Sequence, residues 1–80
     1  MSRLGSRIAA DFLEKGQQYN AKRKTGEATV EIVKVRRKNK QVVQVDAEIL
    51  KGGFDAGTIK LRTGDMVELP ADTDFFEMSI

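Results

Sequence analysis

Residues 27–50, EATVEIVKVRRKNKQVVQVDAEIL, decide the architecture. The first half is dense in β-branched side chains, with Val30 and Ile32 at one parity and Val33 and Val35 at the other. Two heavy atoms on Cβ restrict rotamers and pack well on a pleated surface, so such a run favours extended chain. Its alternation slips by one between Ile32 and Val33, the mark of a bulge or of a strand covered on both faces. Lys38, Asn39 and Lys40 supply a turn, because asparagine tolerates the positive φ of a tight hairpin. The return strand alternates more cleanly, with Val43, Val45, Ala47 and Ile49 toward a core and Gln44, Asp46 and Glu48 away from it. An antiparallel hairpin over 27–50 follows.

Downstream, residues 51–57, KGGFDAG, read as a deformable glycine-rich loop. TIKLR, a turn at Thr63, Gly64 and Asp65, and MVELP read as a second hairpin, with Ile59 and Leu61 facing Val67 and Leu69. Pro70 ends that strand by withholding an N–H. Residues 71–74 turn, and FFEMSI closes as a last strand with Phe76, Met78 and Ile80 inward. Upstream, Leu4, Ile8 and Phe12 recur every four residues with Ala9 and Leu13 on the next row, the spacing of one helix face. Ser2 or Ser6 can cap its start, Asp11 and Lys15 form a favourable i,i+4 pair, and Gly16 can close it. This predicts an amphipathic helix over 3–15. Residues 16–26, GQQYNAKRKTG, show no period and read as a basic connector, with Tyr19 as its anchor on the body. The fold class expected is mainly β (α+β): residues 1–26 as helix and connector, and 27–80 as a small antiparallel five-stranded barrel of SH3 or OB type.

Eighty residues, 40% apolar and 32% charged, make one small domain whose core is marginal enough for partner surfaces to matter. The chain has no cysteine and no histidine. That excludes disulfides and zinc-finger ligand sets, and removes the commonest general base and thiol nucleophile. Ser2, Ser6 and Ser79 lie near the termini, away from any enclosing pocket. Asp72, Asp74 and Glu77 resemble the opening of a cation loop but lack the glycine and distant glutamate of an EF-hand. Gly52 and Gly57 have the spacing that opens a P-loop, but Thr-Ile-Lys follows where the lysine should come at once. No catalytic residue, metal or cofactor is expected, so the chain reads as a non-enzyme. No apolar run is long enough to span a membrane and no signal-peptide core is present, which points to the host cytoplasm or a particle assembled there.

Charge is the informative feature. Residues 1–40 hold eleven Lys/Arg against four acids, net +7, and residues 41–80 hold three against eight, net −5. One reading seats the basic half on phosphate; another sets the basic face of one copy on the acidic face of the next, head to tail. Lys34, Arg36, Arg37, Lys38 and Lys40 crowd the hairpin tip, and Lys22, Arg23 and Lys24 could join them. With no aromatic between residues 20 and 53, nucleic-acid binding there would be salt-sensitive and sequence-blind. The candidate subunit contacts are Leu4, Ile8, Phe12 and, in the glycine-rich loop, Phe54.

An N-terminal segment MSRLGSRIAADFLEK, a basic connector and a β-rich body with Leu-Arg-Thr-Gly-Asp-Met-Val at residues 61–67 resemble the small bacteriophage head–tail joining, or head-completion, proteins. The resemblance covers the segment 2–15 and residues 56–69. It implies a virion subunit acting in a homo-oligomeric ring beneath a portal, contacting other virion proteins around a passage for DNA. The alternative is a small basic module that binds nucleic acid or an acidic host protein, for example as a phage-encoded inhibitor.

Overall fold

A computed structural model describes residues 7–8, 10–54, 61–70 and 72–77, with side chains over 11–54, 61–70 and 72–76. Six antiparallel strands form one sheet: β1 (Arg7–Ile8), β2 (Gln18–Arg23), β3 (Gly26–Lys38), β4 (Gln41–Phe54), β5 (Met66–Leu69) and β6 (Asp74–Glu77). Their order across the sheet is β1-β6-β2-β3-β4-β5. Among the described residues no ladder joins β1 to β5, so the sheet is open, and the closed five-stranded barrel expected from the sequence is not seen there.

The hairpin over 27–50 is present and longer than expected. Lys38 pairs with Gln41, and between them Asn39 and Lys40 take φ of 52° and 69°. Two successive left-handed residues match the twist of the flanking strands, which is why this short link holds them together. The bulge expected beside Ile32 is there: Ile32 pairs with Ala47 and Lys34 with Asp46, leaving Val33 unopposed. Two more fall on β4, at Leu50 and Val43. The one at Val43 corrects the sequence reading, because it turns Val42 toward the core and leaves Val43 53% exposed.

Three expectations change in kind. Residues 51–54 are strand, not loop: β4 runs on through Phe54, opposite Gly26 to Thr29. Residues 16–26 contain strand β2 instead of an irregular connector. Tyr19 and Ala21 alternate onto the buried face between Gln18, Asn20 and Lys22 on the exposed one, a two-residue period that the surrounding polar residues conceal. MVEL pairs with β4 (Val45 opposite Leu69, Ala47 opposite Val67); of TIKLR, Leu61 and Arg62 are described and neither is in a strand, while 58–60 lie outside the described residues. Leu61 does pack on the core, and Ile59 lies outside the described residues. The turn at Thr63 to Asp65 forms as expected, with Asp65 N donating to Arg62 O at 3.0 Å and Arg62 N to Asp65 Oδ2 at 2.7 Å. In β6 the inward residue is Phe75, set edge-on to Tyr19 at 6.4 Å, while Phe76 falls on the opposite parity; Met78 and Ile80 lie outside the described residues.

The helix expected over 3–15 is not found where its residues are described. Arg7–Ile8 pairs with β6, Ala10–Phe12 is a single 3-10 turn, and 13–17 lead into β2. Residues 1–6 and 9, Leu4 among them, lie outside the described residues. The physical reason is competition for the backbone. The N–H of Gly16, which a helix would give to Phe12, goes to Ile32 O at 2.6 Å, and Ile32 N donates to Gln17 O at 2.9 Å. Leu13, not Phe12, supplies the apolar anchor and is fully buried.

The core lies on one face of the sheet. Leu13, Val30, Ile32 and Ile49 are its largest fully buried side chains, each worth roughly 1.5–3 kcal/mol on removal from water. Gly52 (φ +82°) crosses β3 so closely that a Cβ would sit 2.8 Å from Glu27 O, whereas Gly64 (φ +88°) has open space around it. Gly52→Ala is therefore expected to destabilise by more than Gly64→Ala, which carries only the left-handed strain of about 1 kcal/mol. Urea unfolding of both variants checks the ranking.

Candidate interaction surface

The β2 ladder on β3 ends at Ile32, and β5 covers β4 only from Val45 onward. Beyond those limits β3 and β4 pair only with each other among the described residues, as a two-stranded ribbon over 33–44. That ribbon holds five Lys/Arg and no acid. Lys34, Arg36, Arg37, Lys38 and Lys40 are all exposed, and the turn sets Lys40 at the tip.

Their roles differ. Lys34 stands opposite Asp46, which offsets its charge. Arg37 points to the core side, where its guanidinium donates to Asp11 O at 3.2 Å and Leu13 O at 3.1 Å. Val42 N, opposite Arg37, completes the contact by donating to Asp11 Oδ1 at 3.4 Å. Arg37 thus clamps the 3-10 segment to the ribbon, one nitrogen, Nη2, donating to both carbonyls. Arg36, Lys38 and Lys40 remain as free cations at the ribbon's end. Between the two clamped carbonyls sits Phe12, 71% exposed. The chain therefore carries an aromatic beside its basic ribbon although the ribbon's own sequence has none.

Lys22, Arg23 and Lys24 do not join this cluster. They lie where β2 turns into β3, opposite Gly26 and Glu27, at the far end of a 13-residue strand. The two basic groups therefore sit toward opposite ends of β3, in a molecule whose longest extent is 36 Å. Acids meet them there: Lys22 faces Asp74 across the β2–β6 ladder, and Arg23 Nε lies 3.8 Å from Asp72 Oδ1. Arg23 also stacks its guanidinium 5.6 Å from the centre of the Phe54 ring. Phe54, expected as a subunit contact, is a core residue at 3% exposure. Ile8 is in β1, and Leu4 lies outside the described residues. The Arg23–Phe54 pair walls an apolar cleft of about 360 Å³ with Leu61, Val67, Leu69 and Pro70.

The two-pole charge distribution suggested by the chain halves gives way to interleaving. Because β4 and β6 flank β3 and β2, acids of the second half come to lie beside bases of the first. What survives is smaller and sharper: the ribbon tip, and an acidic field on the solvent face. In that field Glu31 stands directly opposite Glu48, and Asp46 opposite Glu68. Like charges placed directly opposite destabilise a ladder, so this arrangement is not there for the monomer's stability. No cluster of three ligating side chains fit for a metal occurs among the described residues. The sequence reading missed this field because it emerges only when the register is known.

Set against known proteins, the chain matches no family model, no curated protein and no solved structure.

Arg37→Ala should free the 3-10 segment, since the one nitrogen that serves both carbonyls is lost. Amide exchange over residues 11–17 is expected to rise at least several-fold, with a global loss of only about 1 kcal/mol. Unchanged exchange there would show that the clamp is not what holds the segment.

Proposed function

We propose that this chain is a non-enzymatic assembly subunit, of the bacteriophage head–tail joining kind, working as one of several copies in a ring within a virion or its host's cytoplasm. The observation that carries the reading is the ribbon. Arg37, Val35 and Val42 of the ribbon serve the monomer, but its remaining cations, with no acid in the ribbon and with Val43 and the neighbouring Phe12 exposed, have no such role within the described residues. Aromatic and arginine side chains grouped in this way are the usual anchors of protein interfaces. A ring also suits a small chain whose own core is marginal, because burial between copies adds to burial within each.

The cationic tip favours a second reading, a module that holds nucleic acid or an acidic host protein by the same ribbon. With Arg36, Lys38 and Lys40 as its free cations, the phosphate contact would involve about three counterions and be modest in strength.

Sedimentation velocity separates the two. Assembly predicts species larger than the monomer at about 50 mM salt that dissociate toward monomer at about 1 M, where the Debye length falls to about 3 Å. A monomer at every concentration and salt removes the assembly reading. A gel shift lost in the triple variant Arg36→Gln, Lys38→Gln, Lys40→Gln would then support the second.

A further inference from the structure

The face of the sheet turned away from the core carries charges of both signs, in separate blocks along the strands. By register, Arg36 and Lys38 of β3 occupy its ribbon end, and Glu31 and Glu48 its middle, with Glu68 of β5 at the margin. Between the blocks lies the Lys34–Asp46 row, which holds one charge of each sign. Gln44 Nε2 donates to Asp46 Oδ1 there at 3.1 Å. Arg36, Lys38 and Glu68 are exposed, and Glu31 and Glu48 are half-buried. None of these five charged side chains has a hydrogen bond or ion pair among the described residues. Arg36 stands opposite Gln44, and Glu48 lies four residues further along β4. At about 3.3 Å per residue, the acidic row is therefore about 13 Å from the Arg36 row. Arg37 and the 3-10 segment that it clamps lie on the other face and take no part.

We infer that this face pairs with the same face of a second copy, turned by a half-turn so that Arg36 and Lys38 of each copy lie over Glu31 and Glu48 of the other. Complementarity of charge selects that occupant. Because the basic and acidic blocks follow one another along the strands, a two-fold axis across them near the Lys34–Asp46 row reverses their order and sets basic on acidic at both ends. A polyanion laid along this face would meet the three glutamates, and a uniformly basic partner would meet Arg36 and Lys38. What fits is a surface with both signs in the reverse order, and the chain's own face supplies it. The two halves of the contact are equivalent, so the union closes at two copies. It also gives the Glu31–Glu48 pair the counter-charges that the monomer lacks. This goes beyond the assembly reading above, since a closed pair neither needs nor builds a ring; ring contacts would use other surfaces.

Charge reversal tests it in sedimentation equilibrium at about 50 mM salt, where exposed charges are least screened. One variant carries Arg36→Glu and Lys38→Glu; the other carries Glu31→Lys and Glu48→Lys. Arg37 and Lys34 are kept, because one clamps the 3-10 segment and the other faces Asp46. Each variant alone sets like charge on like and should associate at least about tenfold more weakly than the unaltered chain. Mixed in equal amounts, they meet opposite charge at both ends again and should form a one-to-one heterodimer about as tightly as the unaltered chain pairs. That rescue requires both variants to be folded. Should either fail to fold by circular dichroism, the unaltered chain decides alone: on dilution its amide shifts should move at Glu31, Arg36, Lys38 and Glu48 and stay fixed at Phe12 and Lys22. If the unaltered chain associates and either folded variant associates as tightly, or the mixture stays monomeric, or the dilution shifts fall elsewhere, this contact is overturned while the assembly reading stands. An unaltered chain that is monomeric throughout overturns both.

Discussion

The β3–β4 ladder positions everything else in this protein. Its register brings Val30, Ile32, Val45, Ala47 and Ile49 onto one face, and that face is the core on which Leu13, Tyr19, Phe54, Leu69 and Phe75 pack. β2 pairs on one side of it and β5 on the other, and β6 and β1 follow from β2. Since a one-residue slip would turn each of these side chains to solvent, the register is fixed by burial as well as by the turn. The turn depends on two consecutive left-handed residues, Asn39 and Lys40, the second of which is not a residue type that favours that conformation. A lysine held at positive φ at the tip keeps a cation where glycine would have formed the turn with less strain.

The three bulges do different work. Val33 on β3 and Val43 on β4 lie on opposite strands, so the register shift made by one is undone by the other. Counting back from a two-residue turn at Asn39 and Lys40 places Glu31 opposite Glu48, and the structure has them paired in that way. Between the two bulges the ribbon is offset by one residue. This offset turns Val42 toward the core and brings its N–H to Asp11, and it releases Val43 outward. The ribbon's exposed apolar side chain is a product of the bulge, not of its place in the alternation.

This explains what could be read from the chain beforehand. The hairpin, its turn, the bulge at Val33 and the turn before β5 were legible because each is written locally, in β-branched runs, Asn at a turn, and Gly-Asp before an apolar strand. The described residues before Glu27 were not. The four-residue spacing of Leu4, Ile8 and Phe12 is genuine, but helix formation must compete with open hydrogen-bonding positions on the sheet. Ile32 and Arg37, distant in sequence, take the amide and the carbonyls that a helix would need. The basic runs were found by composition, but their separation along β3 was not, since charge counted along the chain contains no information on which strand lies beside which.

The same point bears on how charge acts in so small a fold. A net split of +7 and −5 between halves suggests two poles only if the halves occupy separate space, and an antiparallel sheet mixes them instead. Mixing sets opposite charges beside one another, as at Lys34 and Asp46 or Arg23 and Asp72. The residues that escape neutralisation are then the informative ones. On the basic side they are where the ribbon outruns its flanking strands, so that no acid of a flanking strand lies beside it among the described residues. On the acidic side they are where Glu31 meets Glu48 and Asp46 meets Glu68, pairings that the hydrophobic register imposes on the solvent face. Both excesses follow from the geometry of one long hairpin: its end has no flanking strand among the described residues, and its middle sets Glu31 opposite Glu48 and Asp46 opposite Glu68. Each is a surface whose electrostatic energy falls when something of opposite charge arrives, and the chain itself carries both.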